Sequence, residues 1–86
     1  MNRVDAYRLL ASELAVYRQM PYGDLIAAIG NTASKTLRAE DSTDYMIEVS
    51  VAWRNESKGE IIVSGMAGTV DCGPLGRIDE SFVVSR

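Results

Sequence analysis

The sequence predicts an α+β fold, in which two N-terminal helices pack on one face of a three- to four-stranded antiparallel β-meander. Two observations predict it. The first thirty positions repeat apolar side chains at helical spacing, whereas residues 45–53 alternate apolar and polar side chains with the period of a strand. The chain has 86 residues, enough for one domain with one core. We therefore expect a single domain over residues 1–86.

A first helix is expected over about residues 3–19, with Asn2 as its N-cap. Its main apolar face comprises Val4, Tyr7, Leu10, Ala11, Leu14 and Tyr17. A second strip beside this face contains Leu9, Val16 and Met20. The apolar arc is therefore wider than one sheet face needs.

A short second helix is expected over about residues 22–29. Pro21 ends the first helix and suits the start of another, and Gly30 supplies the left-handed residue that commonly follows a helix. The apolar side of the second helix contains Leu25, Ile26 and Ile29. Two helices joined by so short a link form an angled corner.

Four strands are expected after the helices. Their approximate ranges are 36–40, 44–54, 60–66 and 78–85. The clearest alternation places Tyr45, Ile47, Val49, Val51 and Trp53 on one face, which the first helix is expected to cover. The opposite face, with Glu48, Ser50, Arg54 and Ser64, is expected to stay in solvent. Ile61 and Val63 are the expected inward pair of the next strand.

Residues 65–77 form a glycine-rich segment that we interpret as a connecting loop. Its glycines lead into a strand and no lysine follows, so the segment does not match a phosphate-binding loop. Cys72 has no histidine base, and the adjacent Asp71 disfavours a thiolate. Catalysis by Cys72 is therefore not expected, while a small-ligand or enzymatic role of residues 65–77 is left open by the sequence.

Composition excludes most enzyme classes. The chain has no histidine and one cysteine, which removes the usual neutral-pH proton shuttle, an internal disulfide and a cysteine-based zinc site. We expect no enzymatic activity, no cofactor and no metal. No apolar run approaches the roughly 20 residues of a membrane span, and the charged start does not resemble a secretory signal. We therefore expect a soluble domain with no membrane partner.

Residues 24–38 outline an alternative, a helix-turn-helix or winged-helix DNA-binding protein. In that arrangement Ser34, Lys35 and Arg38 would lie on the recognition helix and contact DNA. The net charge of −3 disfavours binding to phosphate backbones, so nucleic acid is the less favoured partner.

The order of motifs is similar to that of small uncharacterised bacterial proteins with an N-terminal helix pair and an antiparallel sheet. The motifs are Tyr17-Arg18, Tyr22-x-x-Leu25-Ile26-x-x-Ile29-Gly30, Tyr45-x-Ile47-Glu48-Val49-x-Val51-x-Trp53 and Ser81-Phe82. The resemblance implies the same fold and a bacterial cytoplasmic setting. It implies no catalytic or binding residue.

The leading functional hypothesis is a non-enzymatic protein-interaction domain that self-associates or binds a basic partner protein. The strip of Leu9, Val16 and Met20 is its candidate interface, because exposed apolar strips tend to mark contact surfaces. The basic-partner version depends on the acidic second half of the chain. A homodimer and a complex with another protein are both left open by the sequence.

Overall fold

A computed structural model describes residues 3–40, 42–69 and 77–86. The elements are α1 (Arg3–Arg18), α2 (Tyr22–Ala28), β1 (Thr32–Arg38), β2 (Asp44–Asn55), β3 (Glu60–Thr69) and β4 (Arg77–Val84), with one 3₁₀ turn at Glu56–Lys58. The strands form one antiparallel sheet in the order β1-β2-β3-β4. Both helices pack against it, which confirms the predicted α+β architecture. Asn2, which was predicted to be the N-cap of the first helix, lies outside the described residues, as do Asp41 and Cys72.

The core lies between α1 and the face of the sheet predicted to be covered. Four of the five alternating residues of β2 are buried, and Trp53 at the end of the row is half-buried. The predicted inward pair of β3, Ile61 and Val63, is fully buried. The opposite face carries Glu48, Ser50, Arg54 and Ser64, all half-buried or exposed. These results confirm which face of the sheet the helices cover.

Helix α1 packs directly on β3 at Gly65. A Cβ atom at this position would lie 2.7 Å from Leu10 Cδ1 and 3.1 Å from Leu14 Cδ2. The helix can therefore approach β3 only because this residue has no side chain. Ala67, the next residue of β3 on the same face, is fully buried.

Strand β3 continues to Thr69, so the prediction that it ends at residue 66 and that a loop begins at residue 65 was wrong. One of the residues that suggested a loop, Gly65, must be small because α1 lies close to the strand there. Residues 70–76, which include most of the predicted loop, lie outside the described part of the chain.

The buried face of α1 is rotated from the predicted one. Ala6, Leu10 and Leu14 are buried, whereas Val4, Tyr7 and Ala11, which were expected to be buried, are exposed. The physical reason is the contact at Gly65. It places Leu10 and Leu14 at the centre of the packed face and turns the Val4 side of the wide apolar arc away from the sheet.

Helix α2 closes one end of the core. Leu25 is buried, and the Tyr22 hydroxyl donates a 2.6 Å hydrogen bond to the carbonyl oxygen of Gly59 in the β2–β3 hairpin. Gly59 adopts φ +71°, as expected for the left-handed residue of that hairpin. Gly30, with φ +89°, follows α2 and donates from its backbone N–H to Val51 O at 3.0 Å.

Strand β1 spans Thr32–Arg38 and not the predicted residues 36–40. The chain enters the sheet immediately after α2, through the hydrogen bond from Gly30 to Val51. Six of its seven residues are exposed. The strand therefore lacks the alternation of apolar and polar residues by which a half-buried strand is recognised.

No helix in the described part of the chain is long and apolar enough to cross a membrane.

Candidate interaction groove

The helix layer is narrower than the sheet that it covers. Four strands spaced about 4.8 Å apart form a sheet roughly 19 Å wide, whereas a helix with its side chains is about 10 Å in diameter. Helix α1 packs on β2, β3 and β4. Ala33 and Lys35 of β1 point to the helix side of the sheet and are nevertheless exposed. A strip over β1 is therefore left uncovered.

This uncovered strip forms a groove of about 270 Å³ between α1, β1 and β2. It is lined by Glu13, Val16, Tyr17, Met20, Ala33, Lys35, Ile47 and Val49. Ile47 and Val49 are core residues, so the groove reaches the edge of the hydrophobic core. The groove thus combines a mostly apolar lining with two charged side chains.

The two charges in the groove form an ion pair. Lys35 Nζ lies 2.9 Å from Glu13 Oε2, and the side chains are 52% and 19% exposed, respectively. The pair connects α1 to the edge strand, but its contribution to stability is small because solvent screens the charges. The position of Lys35 is more informative, since a charged residue on the helix side of an edge strand disfavours the addition of a further strand.

The structure places two of the three predicted interface residues in the groove. Val16 is 56% exposed and lines the groove together with the half-buried Met20. Leu9 lies two turns of helix away, packs against the core and borders a separate hollow near Arg38. The predicted strip is therefore not continuous: Val16 and Met20 are brought together and Leu9 is not.

Sequence reasoning missed the contribution of β1 to this surface. Ala33 and Lys35 complete the groove because the strand begins at Thr32, four residues earlier than predicted. The only sequence signal is the alternation Ala33-x-Lys35-x-Leu37, in which one of three positions carries a charge. Such a pattern is typical of an edge strand, where one face is only partly covered.

The second helix of the helix-turn-helix alternative is not formed, because residues 32–38 are strand β1. The three residues expected to contact DNA also lie on different faces of the sheet. Lys35 faces α1, while Ser34 and Arg38 face the opposite side.

All three also have acidic partners, Lys35 with Glu13, Ser34 with Glu48 and Arg38 with Asp44. They therefore do not form the basic surface that a recognition helix presents.

No polar or charged residue in the described part of the chain is buried. No set of three or more cysteine, aspartate or glutamate residues in residues 3–40, 42–69 and 77–86 is placed to hold a metal ion. The pKa of Arg38 is raised by the hydrogen bond that its guanidinium donates to Asp44 and by the attraction between the two charges. This pair lies at the exposed end of the β1–β2 hairpin.

No family model, no curated protein and no solved structure matches this chain. The resemblance to small bacterial proteins therefore stays a prediction.

Proposed function

We propose that this protein is a non-enzymatic protein-interaction domain whose groove over β1 binds apolar side chains of a partner protein. The observation that supports this proposal is the combination of an apolar floor with an uncovered edge strand. Val16 is exposed although it lies beside core residues. A surface of this kind loses unfavourable contact with water when a partner covers it.

The segment that best fits this surface is an amphipathic helix. The free space over β1 continues the helix layer, and neighbouring helices pack with their axes about 8–10 Å apart. A helix lying beside α1 would place side chains at successive turns against Val16, Met20 and Ala33. The Glu13–Lys35 pair offers one negative and one positive charge to polar residues beside the apolar face of such a helix.

The basic-partner version of the hypothesis has less support. The acidic residues of the second half are distributed over different surfaces. Asp44 is paired with Arg38, while Asp79 and Glu80 point to opposite faces of β4. The apolar groove is therefore the basis of the proposed function. A bacterial cytoplasmic setting is proposed from the resemblance alone.

Site-specific photo-crosslinking in the source cells tests this function. A benzophenone amino acid is introduced at Ala33, on the wall of the groove, and in a matched control at Thr36. Both residues are exposed and belong to β1, but they face opposite sides of the sheet.

We expect the Ala33 probe to form a discrete crosslink to one protein and the Thr36 probe to form none. Equal crosslinking from both positions, or none from Ala33, would contradict the proposal. Loss of the crosslink in a lysate that is treated with nuclease before irradiation would point to nucleic acid as a mediator.

A further inference from the structure

The two edges of the sheet differ in character. One edge is β1, a mostly polar strand with Lys35 on the helix side of the sheet. Strand β4 forms the other edge and is rich in apolar residues. These are Ile78, Phe82, Val83 and Val84. A long edge strand with many apolar side chains is a template for pairing with another strand.

One charged residue interrupts the covered face of β4. Glu80 lies between Ile78 and Phe82 on the helix side, opposite Gly65 of β3, and is half-buried. It has no ion pair or side-chain hydrogen bond within the described part of the chain. An inward-facing carboxylate opposes strand addition unless the incoming strand brings a positive charge to it.

A positive charge is available on the same face. The guanidinium carbon of Arg18 lies 4.2 Å from the centroid of the Phe82 ring. This stacking holds the charge of Arg18, an exposed residue, over β4. A residue placed directly across the sheet edge from Phe82 would therefore lie next to the guanidinium.

We propose that two copies of this chain pair through β4, antiparallel and centred on Ser81, to form a continuous eight-stranded sheet. In this register Glu80 of each copy lies opposite Phe82 of its partner, about 4.5–5.5 Å away between Cβ atoms. Each Glu80 carboxylate thereby reaches the Arg18 guanidinium of the other copy. The interface is isologous, so the contact occurs twice and the assembly closes at two copies.

Two other symmetric registers place a less favourable residue opposite Glu80. A centre at Glu80 places two carboxylates directly opposite each other, which is destabilising. A centre at Phe82 places Glu80 opposite the apolar Val84. The register centred on Ser81 also pairs Ile78 with Val84 and uses every residue of β4 from Ile78 to Val84.

This interface goes beyond the proposed groove and lies at the opposite edge of the sheet. The strand order places β1 and β4 at the two ends, so an assembly through β4 leaves both grooves open. The edges that remain free are the two β1 strands, each carrying Lys35 on the helix side of the sheet. If β4 does not pair, the proposal that the groove binds a partner is unaffected. If the groove binds no partner, the proposal that β4 pairs is likewise unaffected.

Cysteine crosslinking tests the register. In a Cys72→Ser background, Ser81→Cys places two thiols across the symmetry axis, where antiparallel Cα atoms lie about 4.5–5.5 Å apart and a disulfide can form. Ser34→Cys is the matched control, since Ser34 is an exposed serine on the open face of the other edge strand. We expect a covalent dimer after mild oxidation of the Ser81→Cys protein only. Equal dimer yields from the two variants would overturn the proposal.

Charge reversal tests the contact itself. Arg18→Glu and Glu80→Arg should each weaken dimerisation at least tenfold in sedimentation equilibrium, and the double variant should recover most of the loss because the charges are exchanged. Circular dichroism of each variant establishes that it is folded. A wild-type chain that stays monomeric up to about 100 µM, a concentration at which even a weak specific dimer is populated, would overturn the proposal.

Discussion

At the scale of single residues, the position of α1 depends on the absence of a side chain at Gly65. We expect Gly65→Ala to destabilise the protein by about 1–3 kcal/mol, because the added Cβ would overlap with Leu10 and Leu14 in a packed core. Urea denaturation measures the change as a lower midpoint with an unchanged slope. The matched control is Gly23→Ala in α2, where a Cβ meets no atom within 4 Å. Gly23→Ala should keep or raise the stability, and equal losses in both variants would contradict this account of Gly65.

The hydrogen bond from Tyr22 to Gly59 links α2 to the β2–β3 hairpin. Tyr22→Phe should cost about 1 kcal/mol, since the buried carbonyl of Gly59 loses its 2.6 Å side-chain donor. Tyr7→Phe is the control, because Tyr7 is exposed on the free side of α1. Thermal unfolding of both variants compares them, and a loss as large in Tyr7→Phe would show that the hydroxyl of Tyr22 has no special role.

Residue-level burial could be predicted for β2 but not for α1. The strict alternation of apolar residues in β2 allows only one buried face, and the structure buries that face. Its residues are Tyr45, Ile47, Val49 and Val51. The apolar arc of α1 is too wide to define one face. Only the contact with Gly65 decides that Leu10 is buried and Tyr7 is not, and this contact joins residues that are far apart in the sequence.

At the scale of elements, Lys35 is expected to protect the β1 edge from pairing. The Lys35→Val protein should form species larger than those of the wild-type protein, because the charge on the helix side of the edge strand is removed. Light scattering over a concentration series measures this change. Thr36→Val adds the same side chain to the other face of β1 and should behave as the wild type does. No increase in mass in the Lys35→Val protein would contradict the role given to Lys35.

The boundaries of elements were hardest to predict where a strand lacks the usual packing. Strand β1 was placed four residues too late because its helix side is not covered by α1, so its residues carry little hydrophobic signal. The end of β3 was placed too early because Gly65, Ala67 and Gly68 have the composition of a loop. The position of α1 contributes to both errors, because it requires a glycine at position 65 and leaves the helix side of β1 exposed.

At the scale of the whole molecule, one core joins both helices to the sheet. The buried cluster combines residues of α1, α2 and β2–β4. We therefore expect one cooperative unfolding transition, with the fluorescence of Trp53 at the end of the sheet following the same curve as far-UV circular dichroism. Separate midpoints for the two signals would show that the end of the sheet near α2 unfolds on its own.

The overall architecture was predictable from the sequence, but the groove was not. The groove exists because one helix of about 10 Å cannot cover a sheet of about 19 Å, and because α1 lies over β2–β4 and leaves β1 uncovered. The sequence indicated only an excess of apolar surface on α1. The central functional claim is that this groove, and not apolar exposure on α1 in general, contacts a partner.

The most direct test compares two substitutions on α1 by their effect on the photo-crosslink from position 33. Val16 lines the groove, whereas Val4 lies outside it and is even more exposed, 64% against 56%. We predict that Val16→Glu reduces the yield of the crosslinked complex at least tenfold and that Val4→Glu leaves it unchanged. Equal yields from the two variants would contradict the account, because the partner would then not be using the groove.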